Sequence, residues 1–163
     1  MSILDIGAGA GKFCLAAAAQ VPTATFVGVE WRGRLVRLAK RLADRLELSN
    51  VEFIHADALE LDWSKYDAFY LFNPFGEQLM DNELVLDRTI ALEPEKFVVH
   101  VAAVRHRLSI ARVGTRVATY HGYGAPAPLG YDLVRRERAG SDAIELWVKT
   151  RLIQAGEATE SFA

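Results

Sequence analysis

The sequence is poor in the features that define several common classes of protein. Its single cysteine, Cys14, cannot form an internal disulfide or a cysteine-rich metal cluster, and its four histidines show no ligand spacing, so no metal is expected. No apolar run is long enough to span a bilayer, and no basic stretch at the start leads into an apolar segment with a cleavage site. No membrane partner and a cytoplasmic location are the expectation. Nor does charge of one sign prevail: 19 Lys and Arg against 21 Asp and Glu leave a formal net charge of −2. That balance excludes a strong global attraction to nucleic acid or anionic membrane but not a local basic patch. Internal repeats and low-complexity tracts are absent as well. What remains is 163 residues, 51% of them hydrophobic, enough to build the core of one soluble domain.

Glycine is concentrated where the chain begins. Ile3, Leu4, Asp5 and Ile6 form a short apolar strand, followed by glycines at alternate positions 7, 9 and 11 and then by the alanine-rich helix Phe13 to Gln20, in which Cys14 packs as a small apolar group. Such a turn lets the backbone approach a ligand, and the helix behind it offers unpaired N–H groups. A phosphate-binding P-loop is excluded, because Ile6 stands at its opening glycine and Phe13 at its hydroxyl position. A dinucleotide fingerprint fits poorly in either register, since Lys12 or Cys14 occupies the place of its last small residue.

The spacing Asp5-x-Gly7-x-Gly9-x-Gly11 resembles the first motif of the class I S-adenosylmethionine-dependent methyltransferases. Successive strand ends extend the resemblance. The strand Thr25 to Glu30 ends on an acid about 20 residues after the glycine turn, where a carboxylate accepts both ribose hydroxyl protons in nucleoside-binding α/β folds, an acid capping the next helix being the alternative. The strand Val51 to His55 leads into Asp57-Ala58, which resembles the family's adenine-binding segment, with the acid accepting from the amino group and the next N–H donating to the ring. Tyr66 to Phe72 ends in Asn73-Pro74-Phe75-Gly76, similar to the Asp/Asn-Pro-Pro-aromatic motif of amino-methylating members. Phe75 replaces the second proline there and Gly76 the aromatic. The resemblance implies that Asn73 and the Pro74 carbonyl hold the acceptor, that Phe75 walls it, and that Asp5 orients the methionine portion of the cofactor, S-adenosylmethionine.

The implied fold is α/β: a doubly wound, mostly parallel seven-stranded sheet with a C-terminal antiparallel hairpin and helices on both faces. One domain is expected over residues 1–153, with 154–163 a frayed tail. The resemblance also implies helices ahead of the first strand, which here opens within three residues of Met1; a segment or subunit outside this sequence is expected to cover the site. A helix from Trp31 to Leu48 carries Leu35, Leu38, Leu42 and Leu46 on one stripe and Arg34, Arg37, Arg41 and Arg45 on another. The arginine stripe reads as solvated surface, with phosphate binding as its alternative. His55 reads as structural, and Trp63 as either a cofactor cover or a core residue. Residues 76–91 read as a loop with a short helix, whose acids Glu77, Asp81, Glu83, Asp87 and neighbouring Glu93 suit a cationic partner. A helix from Pro94 to Arg112 and a strand from Arg116 to Tyr120 follow, then His121 and Tyr123, expected to face the same crevice as Asn73. Tyr131 to Arg138 and Ala143 to Thr150 form the hairpin, with Arg135, Arg136 and Arg138 as edge-strand charge.

The expected activity is methyl transfer to nitrogen, a protein amine being favoured slightly over a nucleic-acid base or a small molecule. A cofactor-binding module without catalysis and a nicotinamide-dependent oxidoreductase are the alternatives from other classes.

Overall fold

The computed structural model describes residues 1–76, 94–154 and 157. Strands buried on both faces need near-continuous apolar runs. That is how β1 (Ser2–Ile6), β2 (Thr25–Glu30) and β4 (Ala68–Phe72) read, and they form the middle of the sheet with few exposed positions. β3 (Val51–His55) and β5 (Arg116–Tyr120) flank them in parallel. The hairpin of β6 (Tyr131–Ala139) and β7 (Asp142–Lys149) completes the order β3-β2-β1-β4-β5-β7-β6. The doubly wound, mostly parallel seven-stranded sheet is therefore present. Residue 134 is the extra residue of a bulge in β6, between the pairs Leu133–Trp147 and Arg135–Leu146, and the exposed arginines of β6 line the sheet edge.

Helices cover both faces. α1 (Lys12–Gln20) and α2 (Gly33–Arg45) lie against Ile3, Phe26, Phe53 and Ala68; α3 (Pro94–Ile110) packs Val104 and Leu108 against Leu4, Ile6, Phe69 and Leu71 from the other side. The core thus alternates along each strand between two layers. Register then aligns the strand ends, pairing Ile6 with both Val29 and Leu71, Glu30 with His55, and Phe72 with Tyr120. All five parallel strands deliver their next residues to one edge, and connections diverge on either side of β1, the switch point where open α/β sheets bind ligands.

Three bounds differ from the sequence reading by two residues or more, the first being α3, which ends at Ile110 instead of Arg112. α2 is shorter than expected, ending at Arg45, with Leu46 57% exposed and Glu47 at a left-handed φ of 53°. Its buried line is Val36, Ala39 and Ala43, while Leu35, Leu38 and Leu42 flank it, about a quarter turn away at 100° per residue. Small side chains face the sheet because Ala39 must fit over Gly11, where an added Cβ would stand 3.1 Å from the Ala39 Cβ. β4 also starts two residues later than expected, and Asp67 instead accepts the Ser2 N–H at 2.8 Å and pairs with Arg112. Residues 77–93 lie outside the described residues, and with them the expected loop, short helix and acidic run; of the tail, so do 155, 156 and 158–163.

Lys149 closes the α3 layer. Its ammonium is buried and donates to the carbonyls of Leu108 (3.2 Å), Ser109 (2.7 Å) and Leu129 (3.1 Å), above the Tyr131 ring at 5.0 Å. These carbonyls include orphan acceptors of the last turn of α3, where a cation also meets the negative end of the helix dipole. Removing it takes the donor from the Ser109 and Leu129 carbonyls, while that of Leu108 keeps the Tyr131 hydroxyl and the Ala111 N–H. Lys149→Met is expected to lose about 3 kcal/mol of unfolding free energy, read as a fall of roughly 6–12 °C in Tm, with β-strand content unchanged.

Candidate active site

The glycine turn is tied to the strand beside it: Gly7 and Ala8 both donate to the Val29 carbonyl at 3.0 Å. Each glycine has a separate physical reason. A Cβ on Gly11 would strike the Phe53 ring at 2.5 Å, and one on Gly7 would press on the Pro74 Cβ at 3.2 Å. Gly9 has φ +57° and nothing within 4 Å of such an atom, so its face is open to a ligand.

Glu30 sits under this turn, 6% exposed, its two oxygens accepting from the N–H groups of Gly9 (3.0 Å) and Arg32 (2.8 Å). One side chain thereby holds the glycine turn and the entry to α2 in fixed relation. Each oxygen retains a second lone-pair direction, the requirement for accepting two hydroxyl protons. Asp5, 3% exposed, accepts from the Cys14 thiol at 3.4 Å. Burial is the main reason its carboxyl is pushed up to about 7, the Cys14 hydrogen bond opposing and the Glu30 charge adding to the rise. Burial and the neighbouring carboxylate also push the Cys14 thiol up, which keeps it a donor. A cationic group arriving at Asp5 would relieve a buried charge.

At the end of β3, Asp57 accepts the Leu59 N–H at 2.8 Å and opens a 3-10 turn over Ala58–Glu60. The Ala58 carbonyl accepts from the Trp63 indole at 2.8 Å, so Trp63, 6% exposed, is a core residue that fixes this turn. Arg107 of α3 finishes the support, donating to the Leu61 carbonyl at 2.9 Å and to that of Leu59, with its guanidinium 5.6 Å above Trp63. Sequence reasoning missed Arg107. Its only signal was a cation between the core positions Val104 and Leu108. Trp31 was missed too: it follows Glu30 at the same edge, stays 53% exposed, and has its carbonyl held by His55 Nε2 at 2.8 Å, which accounts for the histidine.

Across β1, Asn73 leaves β4 with φ 39°, its N–H donating to the Gly122 carbonyl at 3.0 Å and its own carbonyl accepting from Gly76 at 3.0 Å. An exposed non-glycine residue in this conformation is held there by its surroundings. The Asn73 amide lies over Gly76, where an added Cβ would come within 2.1 Å of its nitrogen, so a side chain at 76 requires the amide to turn aside. Phe75 is half-buried against the Trp63–Val104 core, its ring centroid 5.1 Å from that of His100. His121, also at positive φ (57°), pairs with Asp142 at 2.9 Å beside the rings of Phe72 and Tyr120, so it does reach the edge carrying Asn73. Tyr123 does not. It is 2% exposed, donates to the Pro126 carbonyl at 2.8 Å, and burial pushes its hydroxyl up to about 12, so it is a core residue instead of a crevice residue.

The sequence profile of a family described as "Methyltransferase domain" matches residues 1–113, which carry the glycine turn, Glu30, Asp57 and Asn73. The chain belongs to the class I S-adenosylmethionine-dependent methyltransferases. A tRNA (guanine-N(7)-)-methyltransferase of Synechococcus sp. is 46% identical over 54 residues, 33% of this chain and 23% of that protein. A release factor glutamine methyltransferase of Vibrio cholerae is 27% identical across 88% of this chain and 56% of its own length. Among solved structures, an RNA methyltransferase of Salinibacter ruber in complex with S-adenosyl-L-homocysteine superposes with a TM-score of 0.63 at 22% identity, covering 94% of this methyltransferase chain and 83% of that one. That last likeness establishes shared fold. The methyltransferase chain spans under two thirds of the curated relatives it matches.

The residues present fit the cofactor: a buried diacceptor at Glu30, an acid with a spare oxygen at Asp57, an open backbone face at Gly9 and a buried carboxylate at Asp5 suit a nucleoside joined to a cationic amino-acid end.

Proposed function

We propose that this chain transfers the methyl group of S-adenosylmethionine to a nitrogen held at Asn73, Pro74 and Phe75. The observation that carries the proposal is the close approach of Pro74 to Gly7, where an added Cβ would stand 3.2 Å from the Pro74 Cβ, so that the glycine turn and the Asn73 loop lie against each other. When bound, the cofactor supplies a methyl group already activated by a positively charged sulfur. The protein then has to align and desolvate the acceptor. Gly7, Gly9, Gly11, Glu30, Asp57 and Ala58 bind the nucleoside, and Asp5 orients the methionine end. The side-chain oxygen of Asn73 and the carbonyl of Pro74 accept the hydrogens of the incoming nitrogen, turning its lone pair toward the glycine turn. Phe75 excludes water behind it, and His121 with Asp142 borders the entrance.

This loop reads a nitrogen and not its carrier. The acidic run that favoured a protein amine lies outside the described residues.

Asn73→Ala is expected to lower the rate of transfer from tritiated S-adenosylmethionine about hundredfold, with affinity for S-adenosylhomocysteine unchanged. Acceptor pools would be deproteinised RNA and RNA-free protein extract. Equal transfer by the variant would remove Asn73 from the acceptor site, and a parallel loss of homocysteine-nucleoside binding would make it structural.

A further inference from the structure

α2 carries five cations, Arg34, Arg37, Lys40, Arg41 and Arg45, against one acid, Asp44, within thirteen residues of a chain whose formal net charge is −2. All five are exposed. At 100° per residue, Arg34, Arg37, Arg41 and Arg45 fall within an arc of about 80°, diametrically opposite the buried line of Val36, Ala39 and Ala43. An ordinary solvated helix face alternates charges so that i,i+4 partners attract. Here Arg37 and Arg41, and Arg41 and Arg45, stand i,i+4 with like charge, and none of these arginines has an acidic partner among the described residues. The helix retains self-repulsion along a line about 16 Å long.

Its position gives that line a direction. α2 follows the carboxyl end of β2, so the stripe begins beside Trp31 and Glu30 at the edge that holds the cofactor turn. β2 and β4 are separated only by β1, so the strand that leads into α2 and the strand that delivers Asn73 run about 10 Å apart. The face carrying α1 and α2 is also the face on which Phe72, 53% exposed, lies against Tyr120.

We propose that the arginine stripe of α2 is a docking track for the phosphate backbone of RNA, which carries the acceptor nitrogen to Asn73 as a base. A row of guanidiniums at helical spacing is complementary to a chain of regularly spaced monoanions, and guanidinium groups bind phosphate oxygens bidentately. This proposal rests on the methyltransferase reading for the destination of the RNA, but not for its binding.

The test is fluorescence anisotropy of a labelled mixed-sequence 20-nucleotide RNA and of unfractionated tRNA with the whole chain, over a salt series, with homocysteine-nucleoside binding measured alongside. Four arginine–phosphate contacts give a salt slope of about −3, a loss of affinity of about fiftyfold between 50 and 200 mM salt. Arg37→Glu/Arg41→Glu is expected to halve that slope and weaken binding more than tenfold. Its Tm does not fall, because the carboxylate at 37 gains Arg34 and Lys40 and that at 41 gains Arg45, pairs that outnumber the new repulsions between the two carboxylates and with Asp44. S-adenosylhomocysteine binding stays unchanged. The proposal is overturned if RNA fails to bind at 50 mM salt while S-adenosylhomocysteine binds, if the double variant binds RNA as well as the parent, or if poly-glutamate competes as effectively as RNA, which would assign the stripe to an acidic protein. RNA binding by a chain that does not bind S-adenosylhomocysteine would leave the track standing and remove the methyltransferase reading.

Discussion

Asp5→Asn is expected to stabilise the ligand-free chain at pH 8 while weakening its hold on S-adenosylhomocysteine. The carboxyl is buried, and its value of about 7 lies some three units above the unfolded one, 3.8. An acid whose folded value is raised favours the folded state fully below its unfolded value, and that contribution is lost as pH climbs through the folded value. Stability from Asp5 is therefore present near pH 4 and gone by about pH 8, a swing of at most about 4 kcal/mol at 1.4 kcal/mol per unit. Asparagine keeps an oxygen for the Cys14 thiol but carries no charge, so the variant's urea midpoint should be flat across this window where the parent's falls. Binding has the opposite sign. A cationic amino-acid group beside the ionised Asp5 offsets its desolvation, so parent affinity should rise between pH 6 and 8, and the variant should lose both that rise and at least tenfold in affinity. Equal urea midpoints for parent and variant at pH 8 would mean the buried carboxylate carries no such penalty.

Glu30→Ala should have the largest effect on binding. Two backbone N–H groups, those of Gly9 and Arg32, lose a charged acceptor, and the ribose loses the group proposed to receive its hydroxyl protons. Hydrogen bonds to a charged group contribute about 1.5–3 kcal/mol each, so a total of about 3 kcal/mol or more corresponds to a loss of over a hundredfold in affinity by calorimetry. Glu30→Gln should fall between parent and alanine, since its amide accepts through one oxygen and presents a donor to one of the two N–H groups. Alanine and glutamine variants of equal affinity would show that the carboxylate organises the turn without touching the ligand.

The pattern of these residues was legible before the fold because each chemistry-bearing side chain stands at a strand end, and strand ends are marked by apolar runs that stop. β2, β3 and β5 occupy the expected residues, and Asp5, Glu30, Asp57 and Asn73 reach one edge. Supports made across the chain were not legible. Arg107 reaches carbonyls 46 and 48 residues away, and no local spacing announces a partner at that distance. Tyr123 misled for a related reason: after a strand end, two residues of loop suffice to turn a ring from the crevice into the core. The leucines of α2 misled because apolar size was taken as a guide to burial, whereas close packing over Gly11 selects alanine at position 39. The functional lesson in that helix is on its other side, where four arginines face away from everything the sheet provides.

The most direct measurement is calorimetric titration of the chain with S-adenosylhomocysteine, with NAD as comparator and Gly9→Val as control. Gly9 faces open space at φ +57°, so a β-branched residue there obstructs the ligand face and strains the turn without meeting the core. Micromolar binding by the parent is expected, with none of comparable strength for NAD and with loss of binding in the folded variant. A folded parent that binds NAD in preference, or a variant that binds S-adenosylhomocysteine as well as the parent does, would contradict it.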